Sequence, residues 1–203
     1  MRDNKITISV FGKRGVGKSS TLNTLFNLNF DTDAAIACTV ESSSKIIQNT
    51  FGGNFEELEI VDLPGIGEGY GSDEIYMPFY QEVIPRTDTL LWITQANVRA
   101  YKHDQVMFNK ISHMLKPNIN FVFGANKSDE LIKSEFHLET VTFNDLEKYK
   151  DDEVFKEKTN DIISVFSVMF NNKFSFSEAN ICYYSSHFNW NITNLLFKIF
   201  KQK

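Results

Sequence analysis

Cysteine is scarce in this chain, and this scarcity excludes a fold built on disulfides. Only Cys38 and Cys182 occur among the 203 residues, and both are expected to be reduced thiols of a cytoplasmic protein. Histidine is equally sparse. The four His residues are scattered, and no Cys or His spacing typical of a metal site is present. The sequence therefore predicts neither a disulfide framework nor a transition-metal centre.

Excess positive charge and long apolar runs are also missing. The net charge of −5 argues against a nonspecific nucleic-acid binder, because such proteins need basic surfaces. No apolar stretch is long enough to form a transmembrane segment. The first five residues lead directly into a strand-like run, which leaves no room for a signal peptide. We expect a single domain over residues 1–203, with most of the 19 Phe residues in its core.

The most informative stretch is 12–19, which reads G-x-x-x-x-G-K-S and is typical of a phosphate-binding loop. It lies between a strand-like run at 6–11 and a helix-like run at 20–28. Its glycines allow consecutive N–H groups to face one phosphate, and the helix N-terminus adds a positive dipole end. Lys18 would reach the β- and γ-phosphates, and Ser19 would ligate magnesium. The predicted nucleotide-binding residues here are Arg14, Gly15, Val16, Gly17, Lys18, Ser19 and Ser20.

A second motif, Asn126-Lys127-Ser128-Asp129, follows another strand-like run and predicts the base. The Asp129 carboxylate would accept hydrogen bonds from the ring N1–H and the exocyclic amine of guanine, whereas adenine presents an acceptor at N1. The Lys127 stem would lie over the base, and Asn126 would tie this loop to the phosphate loop. The motif therefore predicts a guanine nucleotide.

Two segments between these motifs predict contacts with magnesium and the γ-phosphate. In the run I-V-D-L-P-G, Asp62 would hold magnesium through water, and Gly65 would donate its N–H to the γ-phosphate. In the polar stretch upstream, Thr39 is the predicted switch threonine that completes the magnesium shell, and Thr32 is the alternative. The predicted catalytic residues are thus Lys18, Thr39 and Gly65, and the predicted magnesium ligands are Ser19, Thr39 and Asp62.

Strand-like and helix-like runs alternate along the chain, which predicts an α/β fold with three layers and a mostly parallel sheet. A turn at 52–54 would form a hairpin and thus one antiparallel edge strand. All the proposed nucleotide segments would then meet at the carboxyl edge of the sheet. There Ser185 and Ser186 would present backbone N–H groups to the guanine carbonyl. The predicted strands are 5–11, 44–51, 55–62, 87–94, 119–125 and 181–184, and the predicted helices include 18–28, 73–84 and 101–115.

The C-terminal third gives weaker patterns. Residues 131–143 are predicted to be an irregular connection, and Asn144-Asp145 would cap a helical region that extends to about Phe170. Residues 190–201 are predicted to be an amphipathic helix. Packing on the sheet is the favoured interpretation of its apolar stripe, with a partner-binding or membrane-surface helix as the alternative.

Together these residues resemble the Era-like, translation-factor-related GTPases, and among them the bacterial prophage-type proteins described as ribosome-binding. The resemblance rests on GKRGVGKSSTLNTLF, IACT, IVDLPGIGE, YMPFYQEVIPRTDTLLWITQANVRAYKHDQ and FVFGANKSDE. It covers nearly the whole chain. The phosphate loop also resembles that of the septin-related, membrane-associated GTPases. The resemblance implies the P-loop GTPase fold, GTP and GDP as ligands, Mg²⁺ as cofactor, and contact with the ribosome or RNA.

Two positions depart from related families. Ile66 stands where Ras-like proteins have the Gln that orients the attacking water, and this predicts slow intrinsic hydrolysis. Gly15 stands where potassium-activated relatives have an Asn, which argues against potassium activation. Arg14 next to it is interpreted either as a solvated loop cation or as an arginine finger, acting within the chain or on a partner.

The sequence thus predicts a GTP-binding protein that slowly hydrolyses GTP to GDP and phosphate and acts as a conformational switch. The alternative is an assembly module that forms a GTP-dependent homodimer through its nucleotide face, with negligible turnover as a monomer. An effector protein would be a further partner. A phosphotransferase such as a nucleoside kinase would use the same phosphate loop, but the guanine motif and D-L-P-G argue against it.

Overall fold

The structure, a computed structural model, describes residues 5–30, 44–52, 55–65, 72–170 and 175–201. The strands are β1 (Lys5–Gly12), β2 (Ser44–Gln48), β3 (Glu57–Asp62), β4 (Thr89–Gln95), β5 (Asn120–Asn126) and β6 (Ile181–Tyr183). The helices are α1 (Lys18–Phe26), α2 (Ser72–Val83), α3 (Lys102–Ile111), α4 (Ser128–Glu135), α5 (Phe143–Tyr149), α6 (Glu153–Phe170) and α7 (Ile192–Phe200). Single 3₁₀ turns follow α2 and α3 and precede β6.

The strands form one sheet in the order β2-β3-β1-β4-β5-β6, which confirms the predicted α/β fold. β2 pairs antiparallel with β3 at one edge, and the other pairs are parallel. The parallel register brings the carboxyl ends of the strands together: Val10 lies beside Asp62, and Gln95 lies beside Asn126. The loops that follow these strands therefore open at the same edge of the sheet.

Helices cover both faces of the sheet, and the alternation of side chains along each strand divides the core into two layers. Phe11, Trp92 and Phe123 belong to the layer that packs against α2 to α6. On the other face, strand residues pack against Leu22 of α1 and Leu195 of α7. Most of the 19 Phe residues are buried in these layers, as predicted. The apolar stripe of α7 is thus used in part for packing on the sheet.

The C-terminal half differs from the prediction in its helices. The segment 131–143, predicted to be irregular, holds the second half of α4. The next helix is capped by Thr142 and not by Asn144-Asp145. The Asp145 N–H donates to Thr142 Oγ1 at 3.3 Å, and the Thr142 N–H donates to the Asp145 carboxylate at 2.9 Å. This reciprocal capping box begins α5, and the predicted single helical region is two helices, α5 and α6.

Several predicted boundaries are also wrong by a few residues. α1 ends at Phe26, because Asn27 takes a left-handed conformation with φ of 51°. β2 ends at Gln48 and β3 begins at Glu57, so both strands of the hairpin are shorter than predicted. α7 begins after Trp190, because Trp190 and Ser185 form an antiparallel bridge instead of a helical turn.

Candidate nucleotide-binding site

Four loops at the carboxyl edge of the sheet form the candidate site. The stretch 12–19 connects β1 to α1, β3 ends at Asp62, and β5 ends at Asn126 and leads into α4. The fourth loop follows β6 and contains Ser185 and Ser186. Side-chain hydrogen bonds connect the loops to one another. Residues predicted from four separate parts of the sequence therefore lie together.

Two glycines allow the phosphate loop to approach neighbouring strands. Gly12 has φ of +151°, and a Cβ atom there would lie 2.2 Å from the carbonyl oxygen of Ile93 on β4. Gly17 has φ of +94°, and a Cβ atom there would lie 2.4 Å from Nδ2 of Asn126. A larger residue at either position would displace the neighbour and adopt a strained backbone. These glycines therefore fix the loop against the ends of β4 and β5.

Asn126 connects the phosphate loop to the loop after β6. Its Nδ2 donates to the carbonyl oxygen of Val16 at 2.9 Å, and its Oδ1 accepts from the N–H of Ser186 at 3.0 Å. The side chain is fully buried, so water does not compete for these bonds. The predicted tie between the guanine motif and the phosphate loop is present.

Donors outside the phosphate loop also hold the carbonyl of Gly15. Lys127 Nζ donates to this oxygen at 3.0 Å, and Gln95 Nε2 donates to it at 3.3 Å. In a trans peptide the N–H points away from the C=O. The N–H group of Val16 therefore points away from Lys127 and Gln95, which donate to the Gly15 carbonyl. In the same way, the N–H group of Gly17 points away from Asn126, which donates to the Val16 carbonyl. A phosphate is bound by consecutive N–H groups turned in this way.

Lys18 and Ser19 begin α1 directly after the loop. Lys18 Nζ donates to the carbonyl oxygen of Lys13 at 3.3 Å, so the ammonium lies along the loop. Ser19 Oγ donates to Asp62 Oδ2 at 2.6 Å. Gly17 is the N-cap of the helix, and among the described residues no side-chain hydrogen bond caps this end. The first turn of α1 thus keeps its positive end for a ligand.

Asp62 has the chemistry of a magnesium ligand. Its Oδ1 is buried and has no hydrogen-bond partner within the described ranges. Burial raises the pKa of Asp62, against the opposing effects of the Ser19 hydrogen bond and the Lys18 charge. The described residues contain no group of three or more His, Cys, Asp or Glu that would bind a metal alone. Mg²⁺ nevertheless fits, because it is usually bound by one or two protein groups together with water and phosphate oxygens.

The D-L-P-G segment is anchored by the backbone groups of Leu63 and Pro64. The Leu63 N–H donates to the carbonyl oxygen of Val10 at 3.0 Å, and the Tyr80 hydroxyl donates to the carbonyl oxygen of Pro64 at 3.0 Å. Gly65 is buried directly after these contacts. The segment is thus held at the edge of the sheet up to the residue that is predicted to contact the γ-phosphate.

Some predicted residues lie outside the described part of the chain. Thr39, its alternative Thr32, and Cys38 fall in 31–43, and Ile66 falls in 66–71. Their roles stay predictions. Arg14 is described and is exposed on the phosphate loop, a position that is compatible with both of its interpretations. Ser20, also predicted to bind the nucleotide, is half-buried in the first turn of α1.

The guanine motif turns the chain from β5 into α4. Lys127 has φ of 59°, and the Ser128 N–H donates to the carbonyl oxygen of Tyr184 at 3.1 Å. Asp129 follows in the first turn of α4 and is only 9% exposed. Its Oδ1 is buried and has no hydrogen-bond partner among the described residues. The N1–H and amine of guanine are donors of the kind that this carboxylate oxygen lacks.

The loop after β6 uses its backbone differently from what the sequence suggests. Ser185 is fully buried, and its N–H donates to the carbonyl oxygen of Trp190 at 3.1 Å. The expectation that this N–H faces a guanine carbonyl is therefore not met. The Ser186 N–H donates to Asn126 Oδ1, so a guanine carbonyl would share this donor with Asn126.

Sequence patterns did not indicate the contribution of Thr21 and Tyr184. Thr21 Oγ1 donates to the carbonyl oxygen of Gly17 at 2.7 Å and lies 2.9 Å from the Tyr184 hydroxyl. Tyr184 is fully buried, and burial raises the pKa of its hydroxyl. The pair thus connects the first turn of α1 to the guanine side of the site. The place of Tyr184 at the end of a strand was the only signal in the sequence.

This fold and these loops define a phosphate-loop GTPase domain. The family model described as 50S ribosome-binding GTPase matches residues 7–127, and the chain belongs to this family. The uncharacterized protein YkfA of Escherichia coli strain K12 is 34% identical over 126 residues, which make up 61% of this chain and 42% of YkfA. The chain spans less than half the length of the curated relatives it matches.

Solved GTPase structures share the fold. A probable GTP-binding protein EngB aligns with a TM-score of 0.57 and 18% identity, over 96% of this chain and 97% of that chain. Era, solved with MgGDPNP and a segment of 16S ribosomal RNA, aligns with a TM-score of 0.59 and 17% identity, over 96% of this chain and 55% of that chain. Within the ranges described here, the helices are too short or too polar to span a membrane.

We expect Gly17→Ala to weaken guanine-nucleotide binding by about tenfold or more, because a side chain there strains the backbone and displaces Asn126. Gly52→Ala is the matched control. Gly52 also has a positive φ, of +86°, but a Cβ atom there meets no described atom within 4 Å. Both variants should unfold at lower temperature, and fluorescence titration should show weaker binding for Gly17→Ala alone. Equal affinities would contradict the proposed close packing of Gly17 on Asn126.

Proposed function

We propose that this chain is an Era-like GTP-binding switch that slowly hydrolyses GTP to GDP and phosphate. The observation that carries the proposal is a pair of buried carboxylate oxygens, Asp129 Oδ1 and Asp62 Oδ1, which lack hydrogen-bond partners in the described ranges. Asn126, in the motif of Asp129, is tied to the phosphate loop, and Asp62 accepts a bond from Ser19. Guanine would donate hydrogen bonds to Asp129, and Asp62 would help to bind Mg²⁺. Magnesium-bound guanosine triphosphate thus has groups that match both carboxylates.

The nucleotide would be bound from its two ends. Asp129 would accept from guanine, and Lys127 and Asn126 would keep the base loop against the phosphate loop. Lys18 would move its ammonium from the Lys13 carbonyl to the β- and γ-phosphates. The complete proposed set is Arg14, Gly15, Val16, Gly17, Lys18, Ser19 and Ser20 for the phosphates, Ser19, Thr39 and Asp62 for Mg²⁺, and Asn126, Lys127, Asp129 and Ser186 for the base.

Hydrolysis would proceed by attack of water on the γ-phosphorus, with cleavage of its bond to the β–γ bridging oxygen and release of GDP and phosphate. Lys18 and the loop N–H groups would stabilise the negative charge of the transition state, and Gly65 would donate to the γ-phosphate. Mg²⁺, when bound, supplies further charge neutralisation. Catalysis would therefore rest mainly on positioning. In the GDP form Thr39 would no longer complete the magnesium shell and Gly65 would lose its γ-phosphate contact, which makes their segments the switch.

Catalytic assistance is proposed to come from a second molecule. Arg14 is exposed on the phosphate loop, and a twofold pair would bring it near the phosphates of its partner. This keeps a GTP-dependent homodimer as the alternative function. The acidic balance of the chain gives no support to a broad RNA-binding surface. The proposed partners are therefore a guanine nucleotide and a protein surface, either a second copy or an effector.

We expect a dilute sample to hydrolyse GTP at on the order of 10⁻⁴ to 10⁻² s⁻¹, the range of switch GTPases without external help. The measurement is phosphate release as a function of protein concentration, in sodium and in potassium buffer, for the wild type and Arg14→Ala. Specific activity that rises with concentration in the wild type but not in Arg14→Ala supports pairing. Constant specific activity would exclude it, and turnover of several per second by dilute protein would contradict slow hydrolysis. Strong stimulation by potassium would contradict the interpretation of Gly15.

A further inference from the structure

Asp104 is a buried charge that the proposed chemistry does not use. It lies in the first turn of α3 and is fully buried. Its Oδ1 accepts from Trp92 Nε1 at 3.1 Å. Trp92 is itself fully buried and packs against Phe11 and Phe108. The carboxylate is therefore held in one position by the rigid aromatic core.

The charge partner of Asp104 is Lys13, in the phosphate loop. Lys13 Nζ lies 2.7 Å from Asp104 Oδ2. The two atoms form an ion pair but not a well-directed hydrogen bond, so the attraction depends on the charges themselves. Asp104 is fully buried and the Lys13 side chain is 25% exposed, which weakens screening by solvent.

The backbone of Lys13 connects this ion pair to the reactive end of the site. The carbonyl oxygen of Lys13 accepts from Lys18 Nζ. A fixed Lys13 side chain restrains its own backbone, and that backbone positions the lysine predicted to bind the phosphates. The phosphate-loop pattern accepts any residue at this place, so the motif alone assigns nothing to Lys13.

We propose that Asp104 is a positioning residue, which acts through Lys13 to hold the phosphate loop in its binding conformation before the nucleotide arrives. The inference rests on the proposed binding of guanine nucleotides. A loop held in advance loses less conformational entropy on binding, which raises affinity without a contact to the ligand. This gain in affinity concerns only the phosphates that GTP and GDP have in common, so recognition of the base is not affected.

The test is equilibrium binding of GDP, a non-hydrolysable GTP analogue and xanthosine diphosphate. Asp104→Asn keeps the size of the side chain and an oxygen for Trp92 but removes the charge. It should weaken GDP and the GTP analogue by the same factor, about tenfold. The preference for guanine over xanthine should not change.

The Lys13 variants test the other half of the ion pair. Lys13→Met should cause a similar loss of affinity, whereas Lys13→Arg should bind nearly as tightly as the wild type. The double variant Lys13→Met/Asp104→Asn should bind no more weakly than either single variant.

Glu59→Gln is the matched control. Glu59 is also a buried carboxylate paired with cations, Lys5 and Arg86, but it lies three residues before the carboxyl end of β3. The Glu59→Gln variant should lower the midpoint temperature of unfolding without changing nucleotide affinity. Wild-type affinity in Asp104→Asn and Lys13→Met, or an equal loss in Glu59→Gln, would overturn the inference. If Asp104→Asn does not fold, the comparison of Lys13→Met with Lys13→Arg decides. Failure of the wild type to bind guanine nucleotides would instead overturn the proposed function.

Discussion

Lys18→Ala should weaken binding of a GTP analogue by about 100-fold, close to 3 kcal/mol. The lysine ammonium is expected to make charge-assisted bonds to the β- and γ-phosphates, and alanine cannot replace them. In the structure this ammonium lies along the phosphate loop and donates to the Lys13 carbonyl. The loss should be larger for the triphosphate than for GDP. Titration calorimetry with both nucleotides measures the two effects.

Lys116→Ala is the control for this experiment. Lys116 also donates to a backbone carbonyl, that of Arg86 at 3.0 Å, and it pairs with Asp88 at 2.6 Å. These contacts precede β4 and lie at the end of the sheet away from the site. Removal of this lysine changes the net charge by the same amount and should leave nucleotide affinity unchanged. Unchanged affinity in Lys18→Ala would contradict the assignment of the phosphate loop.

Asp129→Asn should reduce GTP affinity by about 100-fold and make xanthosine triphosphate the preferred ligand. Xanthine carries a carbonyl where guanine carries the exocyclic amine. The amide of asparagine can donate to that carbonyl, whereas the carboxylate repels it. In the wild type, Asp129 Oδ1 is buried and lacks a hydrogen-bond partner in the described ranges, so the matching base should contribute strongly. Competition of GTP, xanthosine triphosphate and ATP against a fluorescent nucleotide measures the change.

Glu130→Gln separates base recognition from a general charge effect. Glu130 follows Asp129 in the first turn of α4 but is exposed. The variant removes one negative charge from the same turn and should retain the wild-type order of ligands. A shift toward xanthosine triphosphate in Glu130→Gln would mean that net charge decides the selectivity. Equal binding of ATP and GTP by the wild type would contradict the guanine assignment itself.

The sequence indicates local geometry best at positions where chemistry restricts the residue type. Gly17 needs a positive φ and no Cβ, and Lys18 and Ser19 must follow it at the start of a helix. The residues that meet this requirement are adjacent in the sequence, so the pattern can be recognised from a single sequence. The order of strands and helices was predictable for the same reason, because alternating runs favour parallel pairing. The capping box of Thr142 and Asp145 was also present in the sequence, although the neighbouring Asn144-Asp145 suggested a different cap.

Apart from the tie of Asn126 to the phosphate loop, interactions between distant residues could not be predicted in this way. Ser185 was predicted to contact the base through its N–H, but this N–H donates to the Trp190 carbonyl, and that bond depends on how the chain returns after β6. Tyr184 meets Thr21 across 163 positions of sequence. No sequence pattern singles out Asp104, and only the packing of α3 on the sheet makes it the partner of Lys13. Strand ends likewise depend on the length of the neighbouring strand.

The sequence by itself indicated the class of ligand, the loops proposed to bind it and the α/β order that brings those loops to one edge, because each follows from residues within a few positions of one another. Apart from the tie made by Asn126, which the sequence predicted, the tertiary structure alone decided which side chains hold the loops in place. Lys127, Gln95 and Asp104 all reach the phosphate loop from distant parts of the chain. Burial gives these contacts their strength, since a polar group removed from water needs a partner at one particular place.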